Sequence, residues 1–187
     1  MSFPGQYKQK LLSAIETVEL AKVSEAITML EQARSQDKQI FVCGNGGSAA
    51  TANHFACDMV KGASYGRDRR FRIVALSEQI PTLTAYANDV GYDSVFVEQL
   101  KNFARPGDLL IVISGSGSSP NVLRAAEYAR EIGCRTIGLS GRDGGELRSL
   151  VDLELHVDEP HMGRIEDAHM MICHMLCYHF IEQNPAS

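Results

Sequence analysis

The sequence lacks any run of about 18 uninterrupted apolar residues, so no segment reads as a membrane span. Its opening, MSFPGQYKQK, holds no apolar stretch suited to export. Basic residues are in the minority, 18 Lys and Arg against 23 Asp and Glu. The net charge of −5 argues against a general nucleic-acid binder, which needs a basic face. Proline is scarce, six residues against sixteen glycines, which points to tight loops rather than a proline-rich linker. There is no repeat of fixed period and no low-complexity segment. The five cysteines, Cys43, Cys57, Cys134, Cys173 and Cys177, are an odd count with no secretory leader. They read as reduced thiols of a cytoplasmic protein, used as small buried hydrophobes.

What is present is ordinary globular composition, 44% hydrophobic and 22% charged over 187 residues. That length suits one domain. Leu11, Leu12, Ile15, Val18, Val23, Ile27 and Leu30 recur at helical spacing, so 6–34 reads as one long or two short amphipathic helices. Ser24 is the expected break, as an N-cap. No strand precedes this stretch to take its apolar stripe, so residues 1–36 are expected to pack on a partner subunit. Residues 37–187 then alternate strand and helix. Strands are expected at 39–43, 71–77, 108–114, 135–140 and 153–157. Helices are expected at 49–61, 80–88, 94–104, 120–132 and 164–183, with a short one after the glycine-rich GRDGGE turn. In the helix at 94–104, Val95, Phe96, Leu100 and Phe103 are expected to face inward. Such alternation predicts a three-layer αβα sandwich on a five-stranded parallel sheet. Ligands bind there beyond the carboxyl ends of the strands, which selects the loops after the first and third strands.

The first loop is Cys43–Gly44–Asn45–Gly46–Gly47–Ser48, running into a helix N-terminus, where free N–H groups attract anions. Gly44, Gly46 and Ala49 also fit a dinucleotide fingerprint, with Glu78 as its acid after the second strand. That alternative explains neither the second loop nor the histidines. The second loop, SGSGSSPN over 114–121, offers three serine hydroxyls, from Ser114, Ser116 and Ser119, to one tetrahedral anion. A phosphomonoester wants many donors at once, so the pair of loops predicts a phosphate site.

Together, CGNGGSAATANHFACDMVKG (43–62), AYAND (85–89), DLLIVISGSGSSPNVLRA (108–125) and RIEDAHMMICHMLC (164–177) resemble the sedoheptulose-7-phosphate isomerases, or phosphoheptose isomerases. These belong to the sugar isomerase (SIS) domain superfamily. The resemblance implies a single flavodoxin-like SIS domain over the whole chain. It further implies a homotetramer with active sites between subunits and no membrane or nucleic-acid partner. The implied reaction converts sedoheptulose 7-phosphate to D-glycero-D-manno-heptose 7-phosphate, toward lipopolysaccharide-core or other surface heptose. By similarity, Ser48, Ser114, Ser116 and Ser119 hold the phosphate, with the backbone at Gly46, Gly47 and Gly115. Asn45 and Asp89 contact the sugar.

Aldose–ketose isomerisation moves a proton between C1 and C2 and needs a base, together with an acid or a metal at the oxygen. His54 and Asp58 are spaced i, i+4 on the helix after the first loop, so they share a face. Glu166 and His174 share a face of the last helix, whereas His169 lies about 140° around it from His174. The resemblance makes Asp58 and His174 the acid/base pair. It makes His54, Asp58, Glu166 and His174 a zinc set, with Glu166 also beside the substrate. His156, His161, His169 and His179 are expected to be structural.

Three departures from the family pattern stand out. Asp58 replaces the usual Glu and Glu166 the usual Gln. Gly163 replaces an Asp, and an Arg near Gly62 is missing, with Lys61 or Arg67 as candidate substitutes. The competing class is a noncatalytic SIS adaptor of the kind that binds the bacterial replication initiator, or a phosphosugar sensor. Those adaptors lack the histidine matching His174.

Overall fold

The computed structural model describes residues 2–183. Its elements are α1 (Phe3–Glu16), α2 (Leu20–Ser35), β1 (Gln39–Gly44), α3 (Gly47–Cys57), β2 (Arg72–Ala75), α4 (Ile80–Asp89), α5 (Val97–Phe103), β3 (Leu109–Ser114), α6 (Pro120–Glu131), β4 (Arg135–Ser140), α7 (Leu147–Leu150), β5 (Leu153–His156) and α8 (Met162–Gln183). A π-helical turn over Asp58–Gly62 follows α3, and a 3-10 turn over Tyr92–Ser94 follows α4.

All five strands are parallel, in the order β2-β1-β3-β4-β5. Consecutive side chains point to opposite faces, and both faces are covered. Ile40 and Val42 of β1, with Leu109, Ile111 and Ile113 of β3, enter the core beneath α2, α3 and α8. Phe41, Cys43, Leu110 and Val112 enter the opposite core, with α5 and α6. Strand order reverses between β1 and β3. That switch opens a crevice between the loops following those two strands, where open α/β sheets place their ligands.

The expected architecture is therefore the observed one, and four local expectations need correction. The N-terminal helices break at Thr17–Glu19, not at Ser24. The Ser24 hydroxyl donates to the Leu20 carbonyl 3.1 Å away, one turn back, and so cannot cap. Thr17 makes the corner instead, donating to the Ala14 carbonyl at 2.7 Å and accepting from the Asp158 N–H at 3.0 Å. The helix after the first loop starts earlier, at Gly47, and widens into the π-turn from Asp58. Phe103, the last residue of α5, is 62% exposed, whereas Val95, Phe96 and Leu100 are buried as expected and Gln99 joins them. Cys57 is exposed, while the other four thiols are buried and none of the five is bonded to another. Burial pushes Cys43 and Cys173 up to about 12, so both stay protonated.

Candidate active site

The first loop turns at Gly46, whose φ of 55° and ψ of −121° suit only a residue without a side chain. Gly47 then opens α3 beneath α8. A Cβ there would lie 2.6 Å from Oε2 of Glu166, so only glycine lets that carboxylate approach. In the first turn of α3, the Ala49 and Ala50 N–H groups bond back to the Asn45 and Gly46 carbonyls, which leaves those of Gly47 and Ser48 for the cleft.

Across the crevice, Ser114 and Ser116 each accept one backbone N–H, from Gly117 at 3.2 Å and Ser118 at 3.3 Å. Their own protons remain available to a ligand. Ser119 stands at the N-cap of α6 without a side-chain cap bond, and Pro120 follows it, where a missing N–H costs nothing. The result is a cleft of about 230 Å³ lined by Asn45–Ser48, Ile113–Ser116, Ser119, Met162 and Glu166. Among the described residues, no Lys or Arg lines it. The cleft offers an anion neutral donors and two helix N-termini, opposite one carboxylate.

A second group lies further along the same two helices. His54 Nε2 is 3.2 Å from Asp58 Oδ2 and 3.2 Å from His174 Nε2, and His174 Nε2 is 3.8 Å from Asp58 Oδ2. These side chains are part-exposed, at 50%, 28% and 43% for His54, Asp58 and His174. Their geometry fixes the helix directions: Gly47 meets Glu166 at one end and His54 meets His174 at the other. α3 and α8 thus run side by side in the same direction. The seven and eight residues between these contacts separate cleft and cluster by roughly 10–12 Å along the helices.

Of the sequence-predicted residues, the cleft gathers Asn45, Gly46, Gly47, Ser48, Ser114, Gly115, Ser116, Ser119 and Glu166. The cluster gathers His54, Asp58 and His174. Glu166 stays with the cleft and is not among the grouped donor atoms. Asp89 is exposed, accepts from the Asn88 amide at 2.7 Å, and does not line the cleft. Arg67 gives its guanidinium to the carbonyls of Gly62, Tyr65, Phe180 and Ile181, closing the end of α8. Lys61 lines a separate hollow that it shares with Asp58 and Tyr178. His169 is fully buried with Nε2 3.0 Å from the Ser140 carbonyl, and burial pulls it down to about 4. His156 lies 2.9 Å from the Ser140 hydroxyl, and burial lowers its pKa too. His161 edges the Tyr7 ring and His179 the Phe180 ring. Sequence reasoning missed Met162, Asn121 and Tyr92. Only Asn121 carried a signal, at the end of the serine loop.

A family model described as SIS domain matches residues 5–141. A phosphoheptose isomerase of Nitratiruptor sp. is 45% identical over 153 residues, covering 81% of this chain and 80% of that one. The solved phosphoheptose isomerase of Neisseria gonorrhoeae superposes with a TM-score of 0.87 at 34% identity, covering 94% of this chain and 95% of that one. That of Francisella tularensis gives 0.89 at 28%, covering 96% of each. The chain belongs to the SIS domain family and, within it, to the phosphoheptose isomerases.

Proposed function

We propose that this chain interconverts sedoheptulose 7-phosphate and D-glycero-D-manno-heptose 7-phosphate, with the phosphate in the cleft and C1–C2 at the His54–Asp58–His174 cluster. One observation carries this reading: the anion cleft and the acid/base cluster stand at opposite ends of one pair of parallel helices. A 7-phosphate with reacting carbons at the far end of a seven-carbon chain spans such a gap. Binding energy at the phosphate then holds the reacting carbons against the proton-transfer groups.

Asp58 and His174 take the base and acid roles. One lifts the proton from carbon while the other protonates the neighbouring oxygen, through an enediol. His54 holds Asp58 in place across one helical turn.

The donor set fits a divalent ion. Ligands at the usual Zn–N and Zn–O lengths of a tetrahedral site stand roughly 3.3 Å apart, and the three donor atoms here are separated by 3.2, 3.2 and 3.8 Å. Two imidazole nitrogens face each other beside a carboxylate, a pattern suited to zinc. A bound ion would supply Lewis acidity at the sugar oxygen. We assign it to His54, Asp58 and His174, and leave Glu166 at the cleft.

A homotetramer agrees with the part-exposed cluster and with the apolar residues that one chain leaves open. Phe3 (75%), Leu12 (53%) and Leu20 (65%) on the N-terminal helices are exposed, as are Tyr65 (70%) and Tyr178 (48%) near the cluster. The N-terminal helices would then serve subunit packing. No described helix is long and apolar enough to cross a membrane. A cytoplasmic location accords with five unbonded cysteines.

The test is to offer sedoheptulose 7-phosphate to purified protein and follow the aldose by NMR, with EDTA and with zinc restored. Turnover lost with EDTA and recovered with zinc supports both the reaction and the ion. Turnover indifferent to EDTA removes the ion. Absence of turnover in every condition removes the reaction.

A further inference from the structure

Asn45, expected to contact the sugar, is already engaged. Its Nδ2 donates to Asn121 Oδ1 at 2.9 Å, and its Oδ1 accepts from Asn121 Nδ2 at 2.9 Å. The same Oδ1 accepts the Tyr92 hydroxyl at 2.8 Å. An amide oxygen has two acceptor sites, so Asn45 has none left, and one N–H remains to it. It can donate to a ligand oxygen but cannot accept from a sugar hydroxyl.

The bonds join separate pieces of chain. Asn45 belongs to the loop after β1, which forms one wall of the phosphate cleft. Asn121 is the second residue of α6, two positions after Ser119 of the opposite wall, and is 2% exposed. Tyr92 comes from the 3-10 turn after α4 and reaches Asn45 with its hydroxyl, itself 51% exposed. We infer that Asn121 and Tyr92 are positioning residues that clamp the two walls of the phosphate cleft together through Asn45.

The cleft holds its anion with neutral donors alone, so affinity depends on all of them converging on one point. A part-buried reciprocal amide pair fixes the separation of the two donor sets. The pair is costly to break, because each amide would strand the other's polar atoms. It lies at the cleft end of α3, away from the proton-transfer cluster, so its loss is felt in binding before chemistry. The inference rests on the cleft being a phosphate site, and through that on the isomerase reading.

The experiment measures two quantities for Asn121→Ala and Tyr92→Phe. One is binding of inorganic phosphate by 31P NMR titration, which needs no turnover. The other is the split between KM and kcat for sedoheptulose 7-phosphate. Asn121→Ala is expected to weaken phosphate binding and raise KM together, by about tenfold or more, with kcat within about threefold of wild type. Tyr92→Phe, which removes one exposed bond and leaves the fold untouched, is expected to shift both in the same direction by about threefold. Unchanged phosphate binding in Tyr92→Phe and in folded Asn121→Ala overturns the inference. So does a fall in kcat at constant phosphate affinity. If wild type binds phosphate but does not turn over the sugar, the isomerase reading fails while the phosphate titrations still decide the clamp.

Discussion

The two ends of the α3–α8 pair are built differently. The cleft end is walled by glycine and serine loops, with Ser48 and Ser114 at 6% and 5% exposure. The other end is three part-exposed side chains with an unfilled surrounding. On the proposed function, the contrast teaches that holding the phosphate is a property of the fold, encoded in two sheet-edge loops. The proposed chemistry instead rests on three side chains on helix surfaces, where substitution is easy. SIS domains can therefore keep the phosphate cradle and differ in what they do with it.

The largest expected effect breaks the chemical end alone. His174→Ala should lower kcat by about 10²–10⁴, the usual worth of a positioned proton-transfer group, and leave inorganic phosphate binding unchanged. Steady-state kinetics with a parallel phosphate titration check this. Equal loss of phosphate binding would show that the ends are not separable.

The next effect concerns what ties the two ends together. His169 sits on α8 between Glu166 and His174, anchored to the Ser140 carbonyl of β4. Buried, it holds a proton only near pH 4, whereas the unfolded chain takes one up at an ordinary histidine value of about 6.5. Between those values acid is bound by the unfolded chain and not by the folded one, so stability falls as pH drops from about 6.5 to 4. The loss is of order 3 kcal/mol. Denaturant titrations at successive pH values should show this slope, and His169→Gln should flatten it.

A smaller effect sharpens the cleft end. Gly47→Ala drives a methyl into the Glu166 carboxylate and should raise KM roughly tenfold while kcat holds. The smallest tests the shortened acid. Asp58→Glu lengthens the side chain by one methylene on a π-turn and should change kcat less than about tenfold, in contrast to Asp58→Asn, which removes the base. A loss with Glu as deep as with Asn would mean that the cluster is fitted to aspartate.

Most of the cleft was legible in the sequence because its residues are contiguous. Gly46, Gly47 and Ser48 form one motif and Ser114, Gly115, Ser116 and Ser119 another, and the βα alternation puts both at one sheet edge. The cluster was legible in part, since i, i+4 spacing places His54 with Asp58, and His174 joined them through the resemblance. Glu166 shares a helix face with His174, and the resemblance alone placed it with the ion. Eight residues of rise put Glu166 about 12 Å along α8 from His174, and there it lines the cleft. Phe103 was misread because it is the last residue of α5, where a helical period no longer reports burial. The Asn45–Asn121 pair was out of reach, as two amides 76 positions apart carry no pattern.

The most direct measurement is conversion of sedoheptulose 7-phosphate by wild type and by His174→Ala, followed by NMR, with phosphate affinity read on the same samples. Turnover by wild type, none by the variant and equal phosphate affinity in both is the predicted result. A variant that turns over at the wild-type rate, or that loses phosphate binding along with turnover, contradicts the division of labour between the two ends.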